Sequence, residues 1–206
     1  MDILTEGIDG FSRSYHDFAD KRTIYGIPNM MNVVSNIFVL IPILYLLRKQ
    51  SRVSLLVCII LLQRLTSVYY QLSPSDDRLV WDMIFIATGI SVVLSMFIHV
   101  QYIIILYIIC IISIIYWKIT HNFIPYIISI YCIPIYLILT CHNKKICNIV
   151  YILVFVSILK LLFEYSDSYI YQLTNKRISG HSLKHVTTSI ELSLVIIILL
   201  RLKKLK

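Results

Sequence analysis

Two histidines, His181 and His185, open the last long apolar run of the chain, in Gly180-His181-Ser182-Leu183-Lys184-His185. On a helix, side chains four residues apart point the same way. Two imidazoles so placed can hold one metal ion, the logic of zinc-binding helices. The pair stands where an apolar helix meets an aqueous edge, a costly place for polar groups that do nothing. Three more polar residues join it. Ser67 and Gln71, also four apart, share a helix face near the end of the second apolar run, and Asp82 stands at the start of the third. Whether these five belong to one site depends on the elements that carry them.

The composition sets the class of those elements. The chain has 206 residues, of which 58% are hydrophobic and only 15% charged, with a mean hydropathy of +0.81. A soluble domain of this length has too little interior to bury that much apolar surface, whereas a bilayer accommodates it. Seven apolar stretches are long enough, or nearly, to cross about 30 Å of hydrocarbon. They lie near 28–47, 53–71, 79–99, 101–117, 122–140, 147–165 and 181–201. The reading is an all-α, integral membrane bundle of seven transmembrane helices spanning 28–206, preceded by an extramembrane N-terminal segment, 1–27. Pro28 suits the first turn of a helix, and Pro42, Pro125 and Pro134 fall inside spans, where membrane helices tolerate kinks. The first 27 residues are polar and mixed in charge, unlike a cleaved signal peptide.

Basic residues orient the bundle. With the N-terminus outside (lumenal) and the C-terminus cytoplasmic, the inner segments hold Arg48, Lys49, Arg52, Lys144, Lys145, Arg201, Lys203, Lys204 and Lys206. The outer segments hold Arg13, Lys21, Arg22, Arg78, Lys118, Lys176 and Arg177, and most of these lie beside acids such as Asp17, Asp20, Asp76 and Asp77. The net charge of +8 is then a topology signal and an attraction to anionic lipid. It does not point to nucleic acid, because the sequence has no basic soluble domain to carry that function. In this orientation Ser67, Gln71, Asp82, His181 and His185 all lie near one face of the membrane, provided an odd number of spans separates residue 79 from residue 181.

Three blocks of residues resemble the alkaline ceramidase family, a branch of the seven-span membrane hydrolases related to adiponectin-type receptors, and its bacterial-type members above all. The first runs from Tyr15-His16-Asp17-Phe18-Ala19-Asp20-Lys21-Arg22 through Gly26-Ile27-Pro28-Asn29 to Asn32-Val33-Val34-Ser35-Asn36. The second is Ser67 to Asp82, and the third is Ile178-Ser179-Gly180-His181-Ser182-Leu183-Lys184-His185. A weaker fourth comprises Lys160, Glu164 and Asp167. The resemblance implies a zinc ion held by three histidines. Two map onto His181 and His185; the first maps onto position 71, where this chain has Gln71. A glutamine oxygen is neutral and a poorer zinc ligand than imidazole. His16, on the same side with a mobile segment behind it, is the one other histidine that is a candidate to substitute.

The resemblance further implies hydrolysis of an amide. Zinc lowers the pKa of a bound water, Asp82 serves as proton carrier, and Ser67 donates to the developing oxyanion. The substrate is a ceramide-like lipid, cleaved to a sphingoid base and a fatty acid. A calcium ion is implied as well, with Asp17 and Asp20 as carboxylate ligands and Asn29 adding an oxygen. Each of these residues also has an ordinary reading. Asp82 can stabilise a helix N-terminus, Ser67 can bond its own helix backbone, Asn32 and Asn36 can join helices, and Asp17 and Asp20 can be solvated acids. Lys160 and Glu164 form an i, i+4 pair that can neutralise itself, while Arg64 and Glu191 are intramembrane charges without an evident partner. The cysteines Cys58, Cys110, Cys132, Cys141 and Cys147 make no disulfide framework.

Two functions therefore stand at the level of sequence. One is a membrane-embedded zinc-dependent amidohydrolase acting on ceramide-like sphingolipids. The other is a relative that keeps the fold, has lost catalysis through Gln71, and binds lipid or a partner protein.

Overall fold

A computed structural model describes residues 16–49, 54–95, 99–132 and 147–201. Pro134, His142, the basic pair at 144 and 145, and the lysines that close the chain lie outside the described residues, as does the last part of the fifth expected span, 133–140. The described chain is all helical, with one isolated bridge between Ile24 and Ile27. Four of its helices are long and apolar enough to cross a membrane: Met30–Lys49, Leu55–Leu72, Val100–Thr120 and Gly180–Arg201.

The elements are α1 (Met30–Lys49), α2 (Ser54–Leu72), α3 (Asp76–Leu94), α4 (Val100–Thr120), α5 (Ile124–Ile127, continuing as a π turn over Ile128–Cys132), α6 (Cys147–Tyr165), α7 (Asp167–Leu173) and α8 (Gly180–Arg201). α1 is not uniform: Asn36–Val39 forms a 3₁₀ stretch between two α-helical pieces. Tyr25 and Gly26 both take positive φ (53° and 78°) in a tight turn closed by reciprocal backbone bonds of 3.0 and 3.1 Å between Ile24 and Ile27, the conformation for which glycine is suited. Pro28 belongs to the turns before α1 and not to its first turn, as α1 starts at Met30.

The third helix starts earlier than its apolar pattern indicates. The Oγ of Ser75 accepts from the backbone N–H of Arg78, and Asp76 and Asp77 occupy the first turn. Such a cap and such acids favour a helix N-terminus, so charged residues that read as a turn are helical. Asp82 is therefore in the second turn, buried, and does not cap the helix. The short α7, between α6 and α8, carries no apolar run that would announce it.

Packing divides into two main cores. One joins α3, α4 and α5 through residues such as Met83, Leu106, Trp117 and Tyr126. The other joins α1, α2 and α8 through Ile43, Leu46, Ile60 and Ile196, and α6 lies along α8. Outward faces are apolar: Ile104, Ile108, Ile112 and Ile115 of α4 are each more than half exposed. The polar residues Asn32, Asn36, Gln71, His181 and His185 are instead buried. An apolar exterior around a polar interior suits a bilayer and opposes solution in water.

Candidate functional site

α8 delivers the two histidines, and its first turn is fixed from several directions. The Oγ of Ser179 accepts from the backbone N–H of Ser182 at 3.0 Å, capping the helix. Asn32 of α1 accepts at Oδ1 from the hydroxyls of Ser179 and Ser182, both at 2.9 Å. Asp167 of α7 accepts from the backbone N–H of His181 at 2.7 Å and, with its other oxygen, from that of Ala19 at 2.8 Å. Gly180 permits this closeness, because a Cβ there would stand 2.1 Å from the carbonyl oxygen of Phe163 and 2.8 Å from Cα of Asp167.

The last turn of α2 points Gln71 into the histidine pair. Gln71 is 1% exposed. Its Oε1 accepts from Nδ2 of Asn36 at 2.8 Å. Its Nε2 lies 2.7 Å from Nε2 of His185, 3.3 Å from Nε2 of His181 and 3.3 Å from Oγ of Ser67. The direction of the carboxamide is set by Asn36, whose Nδ2 also donates to the carbonyls of Asn32 and Val33 at 3.1 and 3.3 Å. Since that nitrogen faces carbonyls, the group it meets on Gln71 is the oxygen, and the amide N–H groups are left to the imidazoles. His181 therefore accepts at Nε2 and carries its proton on Nδ1, whereas His185 meets donors at both ring nitrogens, the amide of Gln71 at Nε2 and Arg64 at Nδ1. His181 Nδ1 faces Oε1 of Glu164 at 3.3 Å, and Glu164 is paired in turn with Lys184 at 2.6 Å. Arg64 Nη1 lies 3.5 Å from Nδ1 of His185.

Below this network is a cavity of about 130 Å³ lined by Ser67, Asp82, His185, Arg64, Glu164 and Lys184, among others. Asp82 is 8% exposed, and its Oδ1 has no hydrogen-bond partner among the described residues; neither has Nε of Arg64. Gln63, Arg64, Ile86, Ile130, Tyr131, Lys160 and Thr188 also line a second cavity, of about 200 Å³, whose other walls include Ile60, Ile90, Val93, Leu153 and Leu192. The two chambers share a wall, and the second is mostly apolar apart from that shared wall, Ser157 and the Lys160–Glu191 pair.

The structure brings Ser67, Gln71, His181 and His185 into one hydrogen-bonded group, with Asp82 on the adjoining cavity. His16 does not join them. Its Nδ1 lies 2.9 Å from the hydroxyl of Tyr70 and its Nε2 2.7 Å from Oδ1 of Asp76, and Phe18, not His16, packs on His181, with ring centroids 4.5 Å apart. No family model matches this chain, and neither does any curated protein or solved structure compared with it. The likeness to ceramidases rests on the residue blocks alone.

The two implied metals can be tested against these contacts. Zinc needs the imidazole lone pairs, and both point at the amide N–H groups of Gln71. Gln71 would itself need to present Oε1, which Asn36 holds. As arranged, these residues do not fit a zinc ion. The calcium candidates fare no better. Asp17 is exposed and paired with Lys21. Asp20 is fully buried and receives Nε and Nη2 of Arg22 at 2.8 and 2.6 Å, with the Tyr171 hydroxyl at 3.4 Å. Burial alone would raise the Asp20 carboxyl, but hydrogen bonds and charge from Arg22 outweigh it and hold the carboxyl below its ordinary value. Asn29 spends its Nδ2 on the backbone carbonyl of Gln71 at 2.7 Å.

The intramembrane charges also resolve differently from their spacing. Lys160 does not pair with Glu164; it reaches Glu191 of α8 at 2.5 Å, and Glu191 also accepts from the Ser157 hydroxyl at 2.6 Å. The residues that sequence reasoning underrated are Asn36, Glu164 and Lys184. Asn36 belongs to the first of the three residue blocks and Lys184 stands between the two histidines, so the signal was present without its geometry.

Proposed function

We propose that this chain is a seven-span membrane protein of ceramidase-like architecture, with its N-terminus outside and its C-terminus cytoplasmic, that holds a ceramide-like lipid without zinc-dependent turnover. The observation that carries the reading is the cavity beside the histidines, walled by Asp82, Arg64, Glu164 and Lys184 and continuous in its lining with a larger, mostly apolar one. A ceramide-like molecule has matching parts: an amide and hydroxyls that both donate and accept, joined to hydrocarbon. The unpartnered carboxylate oxygen of Asp82 accepts from such a head group, the unpartnered Nε–H of Arg64 donates to it, and a buried group left unmatched is costly. The hydrocarbon occupies the space between Ile60, Ile90 and Leu192.

A second reading, the zinc-dependent ceramidase itself, is favoured by one observation: Ser67 and Asp82 line the same cavity as His185. One experiment separates them. Purified full-length protein in lipid nanodiscs is exposed to a ceramide carrying a photoactivatable acyl chain, and both crosslinking and release of sphingoid base are measured. The proposal expects saturable labelling that unlabelled ceramide competes away, a several-fold loss of labelling in Ile90→Trp, and no base released. Labelling that ceramide does not compete ends the lipid assignment. Release of base that is lost in His181→Ala replaces the binding reading with the hydrolytic one.

A further inference from the structure

We infer that Gln71 closes the histidine pair in the position a metal ion would take, so that the resting site is complete without one. Three features carry this. The first is direction. Turning the carboxamide over would set its nitrogen against Nδ2 of Asn36, and turning Asn36 as well would set an oxygen against the carbonyls of Asn32 and Val33. The network therefore permits one orientation, with the amide N–H groups toward the imidazoles. The second is count. A carboxamide nitrogen has two N–H donors, and three buried acceptors face it, Nε2 of His185 at 2.7 Å and Nε2 of His181 and Oγ of Ser67 at 3.3 Å each, so both donors are taken up within the site. The tautomer this needs at His181 is the one that Glu164 supports from Nδ1.

The third is charge. The walls of the cavity beside the pair carry three cations, Arg64, Lys160 and Lys184, against the carboxylates Asp82 and Glu164, with Glu191, bonded to Lys160, as the third. They balance without a metal, and a divalent cation would add two charges that nothing on the walls offsets, which is unfavourable in a buried site. The N-terminal segment repeats the pattern, since the buried carboxylate of Asp20 is met on both oxygens by the guanidinium of Arg22. At each place where the family resemblance implies a cation, a side chain of this chain makes the contacts.

The inference does not depend on lipid binding, and its test is read without lipid. Full-length protein purified in detergent is equilibrated with zinc and dialysed. Zinc per chain is then counted by mass spectrometry, and unfolding temperature is followed with and without chelator. Wild type is expected to hold no zinc that His181→Ala removes, and its unfolding temperature should not change with chelator. Gln71→His and Gln71→Glu each give the pair a third anionic or imidazole ligand; each is expected to gain about one zinc per chain, lost again when His181→Ala is added, with an unfolding temperature that rises with zinc. Wild type holding about one zinc per chain through His181 overturns the inference. So does failure of both variants to gain zinc while they remain folded, since the imidazoles would then not converge. Should one variant not fold, the other and the wild-type measurement decide.

Discussion

Replacing Gln71 by leucine keeps the bulk of the side chain and removes every polar contact it makes. Two buried acceptors, Nε2 of His181 and of His185, then lose their donor. Asn36 keeps two backbone carbonyls and contributes little to the loss. A stranded buried acceptor costs about 1–3 kcal/mol, so the pair sets a range of about 2–6 kcal/mol. Leucine leaves no room for a bridging water, which favours the upper half. Gln71→Ala opens space that a water can fill beside polar groups, so it falls in the lower half. For a chain of this size about 1 kcal/mol moves the midpoint by about 2–4 °C, and Gln71→Leu is expected to unfold roughly 8–24 °C below wild type. Thermal unfolding in detergent, followed by the fluorescence of Trp81 and Trp117, measures the shift. A double variant, Gln71→Leu with His185→Phe, should recover part of it, because removing both partners costs less than removing one. If Gln71→Leu unfolds at the wild-type temperature, the carboxamide is not wedged between the imidazoles and the reasoning about the site fails with it.

Two further outcomes follow from contacts away from the carboxamide. Gly180→Ala introduces a Cβ that would meet the backbone of Phe163 and Asp167 at 2.1 and 2.8 Å; pushing α6 and α8 apart should cost about 1–3 kcal/mol, read as a lower unfolding midpoint, and unchanged stability would mean that α8 does not start against α6. The Asp20 carboxyl is held below its ordinary value, so its stabilisation is present in full above about pH 3.9 and is lost as pH falls through the lower, folded-state value. Unfolding midpoints between pH 5 and pH 2 should therefore fall more steeply for wild type than for Asp20→Asn, and parallel curves would refute the Arg22 pairing.

What the sequence made legible was set by periodicity and spacing along single helices. The sixth expected span, 147–165, and the seventh, 181–201, agree with α6 and α8 within a residue, because long apolar runs bounded by polar residues leave little freedom. The clustering of Ser67, Gln71 and the two histidines followed from helix ends alone. Pairings between helices were not legible. Lys160 has Glu164 one turn away and Glu191 on a neighbouring helix, and only the packing of α6 on α8 decides for Glu191. Asn36 read as a residue that joins helices, yet its larger effect is to orient Gln71, which depends on the 3₁₀ stretch of α1 that no apolar pattern reveals. The start of α3 was displaced because charged residues in a first turn look like a loop until the Ser75 cap is seen.

Phe18 lies against His181 and Tyr70, and the residues around it are tied to Asp167 and, through Arg22, to the carbonyl of Arg177. Residues 16–22 thus form a pinned roof over the imidazoles, on the side that the proposed orientation turns to water. Solutes arriving from water meet that roof, whereas a molecule dissolved among the acyl chains approaches from beneath it. For the lipid ligand proposed above, occupancy of the chamber would then follow the mole fraction of that ligand within the bilayer, and diluting the membrane with inert lipid would empty it even at unchanged bulk concentration.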